Sequence, residues 1–358
     1  MNFVSDNVVG ASAPVMEALA RANGGAMAAY GADEIARRVK ERFAELFERE
    51  VAVFLVTTGT AANALALSSA VPPWGLCVCH REAHVIDDEC GAPEFFMHGA
   101  KLVGLPGAGA KLDAGAVGAY LEGLPKSVKQ MPPKALSISQ ATECGTVYRP
   151  EEIAALGALC RDHGMALHMD GARFANALVS LGCTPAEMTW KQGVDILSFG
   201  ATKNGCLMAE AVVVFRPDLA ESLAYRAKRA GQVISKGRLI SAQLEGYFAA
   251  DHWLDNARHA NRMARLLAEG LMRLPGVRLA WPVEANEVFP VLPRAASEAL
   301  RAAGAGFMEW TQASLPEGET IAADEALIRL VMSYATQEEE VRRFLQAAST
   351  ALSRQAAE

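Results

Sequence analysis

No run of apolar residues in this 358-residue chain is long enough to cross a bilayer as a helix, so a membrane-spanning protein is not expected. Dense Lys/Arg blocks are missing too, and the net charge is -7. Nucleic-acid binding needs clustered cations, so that class is set aside. The most basic stretch, "YRAKRAGQVISKGR" (Tyr225 to Arg238), has its cations interrupted by apolar residues. It reads as a solvated helix face and loop, with a phosphate or subunit contact as the alternative. The opening "MNFVSDNVVG" has neither the charged nor the apolar region of a signal peptide. Seven scattered cysteines, an odd number, then suggest reduced thiols and a cytoplasmic location. Cys77, Cys79 and His80 form C-x-C-H, yet no second ligand pair at zinc spacing follows. No metal site is expected. A P-loop, a G-x-G-x-x-G fingerprint, fixed-period repeats and low-complexity linkers are likewise missing.

What is present is alternation. Short apolar runs, "VAVFLV", "LCVCH", "KLVGLP", "ALSISQ", "MALHMD", "DILSFG" and "AVVVF", are separated by helical stretches, the pattern of an α/β domain with a mainly parallel sheet. One helix, in "RPEEIAALGALCRDHG", is fully punctuated: Pro150 suits its first turn, Glu151 and Glu152 the positive end of its dipole, and Gly164 its exit. After about Gly246 helices precede short strands, so residues 1–245 are expected to form an N-terminal arm and a large domain. Residues 246–358 are expected to form a smaller α+β domain.

Three stretches carry the chemistry. In "TTGTAANAL" a Thr/Gly turn between strand and helix offers free N–H groups and the hydroxyls of Thr58 and Thr60, a cradle for phosphate. An ordinary βα turn with threonine caps has the same sequence. In "LHMDGARFANAL" Asp170 falls at the carboxyl end of a buried strand, where open α/β sheets place ligands, and Arg173 follows. In "LSFGATKNG" Lys203 leaves another such strand through a tight turn. A cradle, a carboxylate and an amine at one sheet edge are the parts a pyridoxal phosphate (PLP) site requires. The lysine forms a Schiff base, the carboxylate keeps the pyridine nitrogen protonated, and the turn holds the phosphate.

These stretches, with "SDN", "AYGAD", "EAHVIDDECGAPEFF" and "RLVMSYAT" in the same order along nearly the whole chain, resemble the low-specificity threonine aldolases, including phenylserine aldolases. The resemblance implies PLP fold type I: a large domain with a mainly parallel seven-stranded sheet plus a small C-terminal α+β domain. It also implies a homodimer or homotetramer with sites between subunits. It would make Lys203 the Schiff-base lysine and Asp170 the partner of the pyridine nitrogen, with Thr58, Gly59 and Thr60 on the phosphate. His84 would stack on the ring near the reacting hydroxyl, although a loop histidine with its bonds satisfied reads the same. Ser5, Arg173 and Arg329 would bind the substrate carboxylate. Tyr30, and Lys228 or Lys236, would reach a neighbouring subunit's site. The implied reaction is cleavage of L-threonine, allo-threonine and L-phenylserine to glycine and an aldehyde. An aminotransferase, a β-eliminating lyase or a silent binding protein on the same fold are the alternatives. One departure stands out: where many members carry Thr-His, this chain reads "SQATECGTVY", with Glu143 at the histidine's place. Glu143 would accept the β-hydroxyl proton, orient His84 or a water, or satisfy a turn. The orienting role is preferred, because a carboxylate needs a raised pKa to act as a base near neutrality.

Overall fold

The computed structural model describes residues 1–355. Its larger sheet collects β1 (Ala52–Val56), β2 (Leu76–His80), β3 (Lys101–Leu105), β4 (Pro133–Ser139), β5 (Ala166–Gly171), β6 (Ile196–Gly200) and β7 (Glu210–Val214) in the order β1-β7-β6-β5-β4-β2-β3. Strands β2 to β6 pair in parallel, while β7 is antiparallel to both β6 and β1. The link over residues 201–209 explains the exception, since a parallel crossover needs about a dozen residues or more. Strands β2, β5, β6 and β7 are buried at every position, which is why they read as continuous apolar runs.

Alternate strand residues feed two cores. Val78, Leu136, Leu167, Leu197 and Val213 face one core, together with Val39 and Phe43. Cys77, Ala135, Ala166, Ile196 and Val212 face the other, with Leu65 and Leu67. The helices concerned are α1 (Ala13–Ala22), α2 (Glu34–Leu46) and α3 (Gly59–Ala70). α3 is buried from Ala62 through Ser68, and its small residues let it lie close on the sheet. Phe199 of β6 packs edge-on against Phe43 at 5.2 Å, anchoring the strand that delivers Lys203. Cys77 and Cys79 are core residues, and burial pushes the Cys79 thiol up to about 12.

The second sheet is antiparallel throughout: β8 (Arg278–Leu279), β9 (Glu287–Val288), β10 (Pro290–Pro293), β11 (Met308–Glu309) and β12 (Glu325–Val331). The helices His252–Leu271 and Glu338–Gln355 contribute to its core. The N-terminal arm joins this unit. Asn2 bridges to Gly306, and the Val331 N–H donates to the Phe3 carbonyl at 2.9 Å. The Phe3 ring meets Phe344 edge-on at 5.5 Å. The arm so pinned carries Ser5, Asp6 and Asn7 toward the turn that holds Lys203. Among the described residues no helix is long and apolar enough to cross a membrane.

Candidate active site

The carboxyl ends of β1, β5 and β6 open into one cleft of about 420 Å³, within the ordinary range for small-molecule sites. Thr58, Gly59, Thr60, His84, Glu143, Asp170 and Lys203 all line it. At the β1 exit Thr58 caps α3, its Oγ1 accepting the Ala61 N–H at 3.1 Å. The N–H groups of Gly59 and Thr60 begin the helix, where no intrahelical acceptor exists, and the helix dipole adds positive potential. The Thr57 N–H and hydroxyl both donate to Gln232 Oε1 at 3.1 Å, fixing this turn to the segment after the basic helix Leu223–Arg229.

Asp170 ends β5, and its carboxylate is held from two sides. Asn63 Nδ2 donates to Oδ2 at 2.7 Å and the Ala172 N–H donates to Oδ1 at 3.0 Å. Beneath it, His168 lies between Ser137 (2.8 Å) and Ser198 (3.0 Å). Burial pushes that imidazole down to about 4, so it is neutral at physiological pH. Lys203 sits on a one-turn 3-10 helix, Thr202–Asn204, half-buried and with no ion pair or hydrogen bond among the described residues. Two glycines make its turn possible. A Cβ on Gly200 would fall 2.6 Å from the Ala172 carbonyl oxygen, and Gly205 has φ 122 with Asn256 packed against it. Asn204 pins the turn by donating to the Tyr247 hydroxyl (2.7 Å) and the Trp253 carbonyl (2.8 Å).

His84 is oriented by Glu89, which no motif in the sequence marks. Its Nδ1 lies 2.8 Å from Glu89 Oε1, which also accepts from Asn63 Nδ2 at 2.8 Å. A carboxylate only accepts, so Nδ1 carries the proton and Nε2 is the variable nitrogen. The hydrogen bond to Glu89 raises the His84 pKa against the opposing effect of burial, and the charges of Asp170 and Glu143 add to the rise. No hydrogen bond joins Glu143 to His84 among the described residues, so the orienting bond expected of Glu143 is made by Glu89. Burial raises the Glu143 carboxyl, with Lys203, Arg173 and His84 pulling the other way. Asn63, Glu89 and Glu210 are among the cleft residues not singled out from sequence. Their signals were faint: an amide one helical turn into α3, an acid five residues after His84, and a carboxylate opening an apolar strand.

Other expected residues stand outside the cleft wall. Arg173 is 7% exposed and is gripped by Asp6, with Nε to Oδ2 at 2.8 Å and Nη2 to Oδ1 at 3.1 Å. Its Nη1 is 3.4 Å from Glu287. Ser5 caps the short turn that presents Asp6, accepting the Asn7 N–H at 3.1 Å. Arg329 on β12 donates to the Val4 carbonyl at 3.3 Å and lies 4.4 Å over the Trp310 ring, which supplies the partner a cation among apolar residues needs. Tyr30 is 59% exposed beside a different pocket, with the Lys228 ammonium 5.1 Å over its ring. Lys236 is exposed.

The donor set fits PLP: a helix N-terminus for an anionic phosphate, a fixed buried carboxylate for a pyridinium, and an unpaired amine in the same cleft. A family model described as Beta-eliminating lyase matches residues 2–294. The chain is similar to the low specificity L-threonine aldolase of Pseudomonas aeruginosa, 47% identical over 302 residues that cover 84% of this chain and 87% of that one. The solved threonine aldolase of Leishmania major superposes with a TM-score of 0.90 at 30% identity, covering 98% and 99% of the two chains. Serine palmitoyltransferase of Sphingomonas wittichii, 15% identical with a TM-score of 0.70 over 98% of this chain and 86% of that one, shares the fold alone. The chain therefore belongs to the beta-eliminating lyase family, with the low-specificity threonine aldolases, as a PLP-dependent lyase of fold type I.

Proposed function

We propose that this protein cleaves L-threonine, L-allo-threonine and L-phenylserine-type β-hydroxy-α-amino acids to glycine and an aldehyde. The observation that carries the reading is the meeting of Lys203, Asp170, His84 and the α3 N-terminus in one cleft. When bound, the cofactor supplies an aldehyde that captures the substrate amine and a cationic ring that accepts the electrons of the broken Cα–Cβ bond. Asp170, locked by Asn63 and Ala172, holds the proton on the pyridine nitrogen. Thr58, Gly59 and Thr60 hold the phosphate. Lys203 would anchor the cofactor through its amine, which has no other partner among the described residues. His84, fixed through Nδ1 by Glu89, takes the β-hydroxyl proton at Nε2 as the aldehyde forms. Glu143 lies on the same wall and tunes His84 by its charge. Ser5, Arg173 and Arg329 are assigned to the substrate carboxylate.

Among the described residues no cation lines the cleft other than Lys203 and His84, so none is placed to demand a particular β-substituent, which supports broad acceptance there. Incubation with threonine, allo-threonine and phenylserine, with identification of products, tests the reading. Equal amounts of glycine and acetaldehyde or benzaldehyde are expected. A 2-oxo acid with ammonia would instead identify β-elimination, and rejection of every aryl substrate would refute the breadth. We also assign a homodimer or homotetramer in which Tyr30 and Lys228 approach a neighbour's cleft, to be checked by sedimentation of the purified protein.

A further inference from the structure

Glu210 has no part in the chemistry above, yet its place is unusual. It opens β7, and the register sets it opposite Val56 on one side and Gly200 on the other. It stands between the strand exit that begins the anion cradle and the exit that leads to Lys203. The side chain is 7% exposed and lines the cleft. Its Oε2 accepts the Ala201 N–H at 2.8 Å, one residue before the turn that carries Thr202 and Lys203. No ion pair neutralises it among the described residues. The titratable groups facing it are Lys203 and Cys206 from the turn and Tyr247 from the helix Arg238–Phe248. Burial pushes the thiol and the phenol up, so both stay neutral and only Lys203 offers it charge.

An acid there opposes a phosphate site in the same wall unless it changes state. We propose that Glu210 is a positioning residue for the Thr202–Lys203 turn and takes up one proton from solvent when the phosphate end of the cofactor docks. The inference rests on the PLP reading of the cleft. A dianion brought near a buried carboxylate favours the neutral acid, because like charges in a poorly solvated site penalise the ionised form. Burial already places this carboxyl at about 7, so little free energy is needed to protonate it near neutrality. The neutral acid keeps its carbonyl oxygen for the Ala201 N–H and gains a donor. A carboxylate that merely capped the turn would show no such exchange.

The experiment is calorimetric titration of the cofactor-free full chain with PLP and with pyridoxal, which lacks the phosphate. Two buffers of different ionisation heat are used at about pH 8, where the phosphate, with a second pKa of about 6, stays dianionic throughout. In the unaltered protein PLP should bring in most of one proton more than pyridoxal does. Contributions from Lys203 are common to both ligands and cancel. Glu210→Gln, which mimics the neutral acid, should abolish the difference. It should also bind PLP about tenfold more tightly than the unaltered protein at about pH 8 and equally at about pH 6, since one pH unit above a pKa leaves about a tenth of the group protonated. Equal proton counts for PLP and pyridoxal in the unaltered protein would overturn the proposal without recourse to any variant. Failure of the unaltered protein to bind PLP would overturn the cofactor reading, and this inference with it.

Discussion

Replacing Glu89 with Gln probes the geometry that fixes His84. The substitution keeps an acceptor for His84 Nδ1 and for Asn63 but removes the charge that both now see. A hydrogen bond to a charged group contributes about 1.5–3 kcal/mol, and about 1.4 kcal/mol corresponds to one pKa unit. The His84 side chain is 35% exposed, so solvent screening brings the loss to the low end of that range, and the His84 pKa falls. His84 acts as a base in its neutral form, so the acidic limb of the kcat/KM profile should move measurably to lower pH. The maximal rate should fall only modestly, because Nε2 keeps its place. Initial rates of benzaldehyde release from phenylserine between about pH 5 and 9 measure the limb directly. Stability supplies a second readout with its own sign. The folded-state pKa of His84 is raised, so its pairing stabilises the fold fully below the unfolded value of about 6.5 and loses that contribution as pH rises through the folded value. Glu89→Gln should therefore lower the melting temperature more at about pH 5.5 than at about pH 8.5. An acidic limb that stays in place in a folded variant would refute the assignment of His84 as base.

Lys203→Ala should lose the visible absorbance of bound cofactor and reduce turnover by orders of magnitude, while phosphate contacts still retain some PLP; ordinary turnover would remove Lys203 from the mechanism. Asp170→Asn should depress kcat far more than cofactor affinity, because the charge facing the pyridine nitrogen is lost and the phosphate cradle is untouched; steady-state kinetics with a PLP titration separates the two. Glu143→Gln should lower kcat by about tenfold or less, the scale of one ordinary interaction, and His84→Asn by about 10²- to 10⁴-fold, the scale of a general base. The opposite ranking, measured with phenylserine, would make Glu143 the base. Gly205→Ala should destabilise the fold and displace Lys203, since its φ of 122 suits glycine and a Cβ would meet Asn256 at 2.7 Å; an unchanged melting temperature would refute the reading of that turn.

The strands, the α3 cap and the exits bearing Asp170 and Lys203 were legible because each depends on neighbours in sequence: an apolar run, then a small-residue turn, then a polar side chain at the sheet edge. The antiparallel return of β7 was not drawn from the pattern, although the shortness of its link to β6 encodes it. The cleft's supporting residues were harder to read for a different reason. Asn63 connects Asp170 with Glu89, and Glu89 connects Asn63 with His84, so their meaning lies in contacts 107 and 26 residues apart along the chain. No local pattern marks an amide as a bridge between two carboxylates. Glu210 left a mark, an acid at the head of an apolar strand, but its significance depends on which strands flank it.

The arginines expected to bind the substrate carboxylate show how the fold holds charge ready for a ligand. Arg173 arrives at the cleft already gripped by Asp6, with Glu287 close by, so its own charge is more than matched. Glu287 is 1% exposed, neither of its carboxyl oxygens has a hydrogen-bond partner, and burial raises its pKa against the pull of Arg173 and Arg329. Two cations and two acids thus share a small volume, and a substrate carboxylate entering it would add a third negative charge. Arg329 is the cation with spare capacity: its Nε makes no hydrogen bond, and its guanidinium rests on the Trp310 ring rather than on a carboxylate. The arrangement suits a division of labour in which Arg173 ties the N-terminal arm to the large sheet, keeping Asn7 at the cleft, while Arg329 has donors to turn toward a ligand. Because Arg329 belongs to β12 and Arg173 follows β5, a carboxylate held between them would also fasten the small sheet to the large one. Substrate binding in this protein would then stiffen the contact between its two units, a consequence that amide exchange at Val4 and Arg329 would register.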